Sequence, residues 1–279
     1  DLPAAGPIGG AWFLLLAGRN LDYWHTAQAE SFLLLPLVLS IQALLFLAGI
    51  LAIARLPSLP MTGPPRIRVR DQLLAGLRAV WDARLIRDII GLNFVSSLFN
   101  AGAYIVAIPY IVREVYAGDA GLFALVMIVF TAGSISSNVI LLWFMPLRNP
   151  GRLFLLLQLT RCAIMALLIT RPGLWLFAVA IFAWGLNMGV TSTLVRTTVQ
   201  ELAEPAARAQ ILSILLLGFM VASPISASLF GLLIAATTPL TALAPGIVVS
   251  IALFVVGRFY CDLWGYESVA WRPSTTPGA

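Results

Sequence analysis

Charge in this chain comes in widely spaced islands, and the intervals between them set what it can fold into. Uncharged runs extend over 2–18, 31–54, 89–112, 120–147 and 172–195, and 153–170 is broken only by Arg161. About 20 apolar residues cross a bilayer as a helix, so each run has the length of one crossing. Residues 209–260 contain only Arg258 and are too long for one span. The turn signal Thr237-Thr238-Pro239 divides them into two. The spacing therefore predicts an all-α integral membrane protein with eight transmembrane helices. Barrel strands need alternating segments of roughly 10 residues, which these runs do not resemble. With 60% apolar and 10% charged residues, the chain falls outside the range of soluble domains, which carry about 25% charge.

Arginine placement orients the spans. All 17 basic residues are arginine. With the first span starting in the cytoplasm, thirteen of them fall on the inner side, and Arg19, Arg113 and Arg171 fall outside. That bias follows the positive-inside rule, so the net charge of +5 reads as topology and points to no nucleic-acid partner. Between the second and third spans, Pro57, Pro60, Pro64 and Pro65 exclude a helix. The segment Asp71–Asp82 then carries Leu73, Leu74, Leu77, Val80 and Trp81 on one face, with Asp71, Arg78 and Asp82 opposite. Such a helix is expected to lie on the cytoplasmic membrane interface. Cys162 and Cys261 suggest neither a bridge nor a metal site.

One internal match stands out. Gly6-Pro7-Ile8-Gly9-Gly10 aligns without gaps to Ser223-Pro224-Ile225-Ser226-Ala227, each followed by an apolar tail with Phe and two Leu in register. Proline bends a span and small residues admit a neighbour's backbone. Two such spans, six apart, fit a transporter built from two six-helix halves. Gly6, Pro7, Gly9 and Gly10 resemble the antiporter signature of the major facilitator superfamily. Residues 199–208, with Glu201 and Arg208, are similar to that family's loop after span ten, and Arg148 and Arg152 to its short basic loop between spans eight and nine. That loop lacks the usual Asp. Gly76-Leu77-Arg78-Ala79-Val80-Trp81 most resembles the branch containing the enterobactin exporter and macrolide-efflux pumps.

The resemblance implies a major facilitator-type bundle in which this chain supplies spans five to twelve. The first four, roughly 120 to 150 residues, would lie upstream of an N-terminally truncated start. Residues 1–55 would then hold the last two spans of the N-terminal half and 56–88 the cytoplasmic inter-half loop. Residues 89–260 would form the six-span C-terminal half and 261–279 a cytoplasmic tail. It further implies proton-driven efflux of a drug-like or siderophore-like small molecule across a bacterial inner membrane, by a protein monomeric when full length and using no cofactor. Arg148, Arg152, Glu201 and Arg208 would close the cytoplasmic gate.

Polar groups inside spans are costly and mark function. Asn93, Ser97, Asn100 and Tyr104 recur at helical spacing on one face. Ser134 and Asn138, with Trp184, Asn187 and Thr191, are expected to face them across a substrate cavity. The alternative is that these groups tie helices together. Arg161 is read either as a helix-pairing residue or as the counter-ion of an anionic substrate. No carboxylate lies within a complete span, so a proton-coupling residue is expected in the missing spans. Two rival functions remain open: an integral membrane enzyme on lipid-linked substrates and a non-transporting membrane partner. An enzyme would need clustered Asp, Glu, His or Lys at one face, and no such cluster forms, so the chain is expected not to be an enzyme and to hold no metal.

Overall fold

The computed structural model describes residues 28–55, 69–268 and 271. Their regular structure is helical throughout. Helix α1 spans Gln28–Ala54 and α2 Val69–Asp82. Helix α3 runs over Arg84–Val115, α4 over Ala120–Phe144 and α5 over Pro150–Ile169. Helix α6 covers Leu174–Leu202, α7 Arg208–Ala236 and α8 Ala244–Phe259. The starts follow local chemistry. The Asp119 carboxylate accepts a hydrogen bond from the Leu122 N–H at 2.8 Å and caps α4. Proline opens α5 at Pro150 and α8 at Pro245, where a missing N–H costs nothing.

Among the described residues six helices, α3 to α8 with the short 3₁₀ turn leading into α8, are long and apolar enough to cross a membrane. The chain is thus a multi-pass membrane protein by helix length and composition. The 209–260 stretch divides at Thr237–Pro239, as its sequence requires. The span expected over 31–54 lies within α1, whose large apolar side chains from Ile41 to Leu51 are exposed. The span expected over 2–18 lies outside the described residues.

The bundle is organised by pairs: α4 on α6, α3 on α7, and α5 between α6 and α8. In lipid, apolar side chains gain nothing by exchanging tails for neighbours, so close packing carries association. Glycine supplies it between α4 and α6. A Cβ on Gly133 would strike the Phe182 carbonyl oxygen, and one on Gly185 would strike that of Phe130. At the α3–α7 crossing the Ser226 hydroxyl accepts from the Gly102 N–H and donates to the Leu98 carbonyl. It is inserted where α3 would otherwise bond to itself. The ladder continues from Gly102 as a π segment, Ala103–Ala107. Two buried clusters result. One gathers Trp184, Phe130, Phe177 and Phe230, the other Phe154, Leu155, Val199 and Ile211.

Helix α2 corrects the expected face. Leu73, Leu74, Leu77 and Trp81 are exposed, as an interfacial helix requires, but Val80 and Gly76 are buried. A Cβ on Gly76 would lie 3.2 Å from Ile214 of α7, so α2 leans on the bundle along this line. Arg87 fastens its end, donating to the Trp81 carbonyl at 3.1 Å with its guanidinium 5.5 Å from that indole.

Candidate functional site

A cleft of about 200 Å³ opens between α3, α6 and α7. Its polar wall is Asn93, Ser96, Ser97 and Asn100 from α3, with Thr191, Ser192 and Arg196 from α6. Its apolar wall is Met188 and Val195 of α6 with Leu215, Leu216 and Phe219 of α7. Arg161 reaches it from α5, behind the other three helices. Asn93, Ser97, Asn100 and Thr191 therefore stand together as the sequence suggested.

Tyr104 does not join them. Its ring lies 4.3 Å from that of Phe130, inside the apolar cluster. A π turn holds an extra residue, so the segment after Gly102 rotates later positions off the cleft face. Trp184 is fully buried and donates from Nε1 to the Asn100 Oδ1 at 2.7 Å, fixing the amide that borders the cleft. Asn187 ties α6 to α5: its Nδ2 donates to the Leu157 carbonyl and the Thr160 hydroxyl, both at 2.7 Å, and its Oδ1 accepts from Arg161. Ser134 and Asn138 lie elsewhere. Asn138 accepts from the Thr193 hydroxyl at 2.7 Å and donates to the Ser134 carbonyl at 2.8 Å, so the pair serves α4–α6 packing.

Arg161 is the residue that sequence reasoning left undecided. It is buried near the middle of α5, at 4% exposure. Its Nη1 donates to Ser96 and, at 3.2 Å, to Gln158; its Nη2 donates to Asn187 at 3.2 Å. The α7 wall was not anticipated. Helix α7 is apolar all round, and such a pattern does not separate a cleft face from a lipid face.

At the opposite end of these helices from Glu114 and Thr237, the tail folds back on the α4–α5 loop. Arg148 pairs with Glu267 at 3.0 Å, and the Ser268 N–H donates to the Arg148 carbonyl at 2.9 Å. Glu267 thus brings a carboxylate to the loop that lacks one of its own. Both partners are exposed, so the pair contributes at most about 1 kcal/mol. The Ser268 hydroxyl donates to Glu201 at 2.7 Å. Arg152 stacks 4.8 Å from Trp264, whose ring also lies 4.7 Å from Arg258. Arg208 approaches the Ala203 carbonyl at 3.5 Å. The four expected gate residues thus gather at one end, where Arg148, Arg152 and Glu201 are all engaged by the tail. Gly6, Pro7, Gly9 and Gly10 lie outside the described residues.

Cys261, just past α8, gives this end a pH signature. Burial, then the Asp88 carboxylate, pushes its thiol up to about 11. The thiolate is the reactive form, and a raised value empties it at neutral pH. Iodoacetamide labelling of Cys261 is expected to be slow at pH 8 and to rise about tenfold per pH unit up to pH 10. Asp88→Asn should speed labelling at fixed pH by removing the opposing charge. A rate already maximal at pH 8 would contradict the placement.

The larger hollow, about 710 Å³, opens at the other end beside Tyr110, Glu114, Arg171 and Thr237. Glu114, Arg171 and Thr237 there are exposed, whereas the α3–α6–α7 cleft sets buried polar groups inside the apolar bundle. The latter is the candidate binding site. No protein-family model, curated protein or solved structure matches this chain.

Proposed function

We propose that the chain belongs to a secondary transporter of the major facilitator type, exporting a drug-like or siderophore-like small molecule by alternating access. On this reading residues 89–260 form one six-span half in a bacterial inner membrane. The observation that carries the proposal is the cleft itself. A polar wall from α3 and α6, facing apolar α7, is costly inside a lipid-embedded bundle, and the buried Thr191 hydroxyl on it has no partner among the described residues that would offset that cost. Amides and hydroxyls opposite aliphatic and aromatic groups suit a moderately apolar, hydrogen-bonding solute. Proton drive needs a titratable group within the membrane. In the described spans Asp88 and Glu114 stand near the two ends of α3 and Glu201 at the end of α6, so the coupling group is assigned to segments outside them.

The test is efflux from bacterial cells lacking their own major exporters, preloaded with a panel of fluorescent dyes. Cells producing the protein are expected to lose at least one dye faster, and a protonophore should abolish the difference. Asn93→Ala, which removes a polar group from the cleft wall, should slow that efflux up to about tenfold at equal protein level. Dye loss indifferent to the protein would defeat the proposal.

A further inference from the structure

Arg161 holds a full positive charge against neutral partners alone. Its three hydrogen bonds go to a hydroxyl and two amide oxygens, from Ser96, Gln158 and Asn187. Its Nε–H has no partner among the described residues. The ion pairs formed among those residues do not include it. Arginine does not escape by deprotonating, and a charge at membrane depth is expensive unless paired. Removing one partner of a buried pair leaves a penalty that a hydrophobic replacement would avoid. A chain that keeps such a residue at the back of a cleft is therefore missing a negative partner there.

The cleft shows what that partner looks like. Thr191 is 5% exposed, borders the cleft, and its hydroxyl has no partner among the described residues. It is a second donor on the cleft wall, with Arg161 lining the same cleft. Leu215, Leu216 and Phe219 close the opposite side with apolar surface. Arg196, exposed on the same wall, adds positive potential at the mouth. A volume of about 200 Å³ is below the roughly 300 Å³ at which drug-sized sites begin, so it fits the head of a substrate rather than the whole of it.

We infer that the cleft binds the carboxylate, or a similar single anionic head, of a small amphiphilic organic acid, with Arg161 as its counter-charge and Thr191 as a further donor. Asn187 is a positioning residue, holding the guanidinium from Nη2. The inference rests on the transporter reading in naming a substrate class, but equilibrium binding tests it without transport.

The full chain in phosphatidylcholine nanodiscs would be titrated calorimetrically with 1-naphthoate and with its neutral twin, 1-naphthamide. The acid is expected to bind at least tenfold more tightly than the amide. Arg161→Gln should erase that preference. Thr191→Val removes a hydroxyl that makes no bond within the described chain, so it should leave the thermal midpoint unchanged and weaken naphthoate severalfold. If Arg161→Gln fails to fold, Thr191→Val decides. Repeating the titration with phosphatidylglycerol in the disc identifies the occupant. Undiminished affinity marks a diffusing acid, whereas loss of naphthoate binding assigns the site to an anionic lipid head and overturns the substrate assignment. Equal binding of acid and amide, or a preference surviving both substitutions, overturns the anion site itself. Arg161-dependent binding without dye export would defeat the transporter reading and leave this one standing.

Discussion

Gly185→Leu is expected to lower the stability of the bundle by about 3 kcal/mol, the upper range for overpacking. The reason is what a side chain would meet. A Cβ at Gly185 collides with the Phe130 carbonyl oxygen and comes within 2.9 Å of its carbon, and these are backbone atoms with no rotamer to yield. The contact is reciprocal. On α4, a Cβ at Gly133 would collide with the Phe182 carbonyl and lie 3.1 Å from the Leu186 nitrogen. Relief requires α4 and α6 to part. Parting stretches the Thr193–Asn138 hydrogen bond and loosens the Phe130–Trp184 edge contact, whose centroids are 6.3 Å apart. Nothing in lipid repays that loss, because dispersion across the contact is what held the helices. Gly91→Leu is the control, since a Cβ there meets nothing within 4 Å. The measurement is the fraction of monodisperse protein left after heating in detergent. If the two variants survive equally, α4 and α6 do not pack as described.

What the sequence made legible followed from charge. Spans are bounded by charges because burying one in lipid is costly, so α3 to α8 could be placed by counting. The separation of α7 from α8 was legible because Pro239 cannot continue a helix. Side-chain direction was harder. Asn93, Ser97 and Asn100 keep their common face, whereas Tyr104 leaves it through a π segment that no periodicity announces. Asn138 and Asn187 carry the same side chain within apolar spans, yet the exposed Asn138 packs α4 on α6 and the buried Asn187 orients Arg161. Their partners depend on which helices are adjacent, and adjacency in an apolar bundle is set by small residues such as Gly133 and Gly185. Those lie in the sequence in plain view, without a signal saying which neighbour they admit. Glu267 was hidden for a related reason: its distance along the chain from Arg148 gives no hint that the tail returns.

Gly102→Val is expected to be as damaging as Gly185→Leu, and its comparison with Ser226→Ala separates two contributions to the α3–α7 joint. A Cβ at Gly102 collides with the Ser226 carbonyl oxygen and lies 2.6 Å from the Phe230 ring. Here too the backbone must give, at a cost of about 3 kcal/mol. Ser226→Ala removes only the hydroxyl bridging the Gly102 N–H and the Leu98 carbonyl. These two groups are four residues apart, the spacing of an ordinary helical hydrogen bond. The ladder of α3 can therefore close on itself once the hydroxyl is gone, and the loss should stay near 1 kcal/mol rather than the larger penalty of two orphaned groups. Valine at Gly102 has already forced the hydroxyl out of reach, so the double variant should be no less stable than Gly102→Val alone. Strict additivity would mean that clash and hydroxyl act on separate parts of the joint. Hydrogen exchange at the Gly102 amide supplies the second readout. Unchanged protection in Ser226→Ala would show the ladder reclosed, and fast exchange would show that the inserted hydroxyl is what holds this turn of α3.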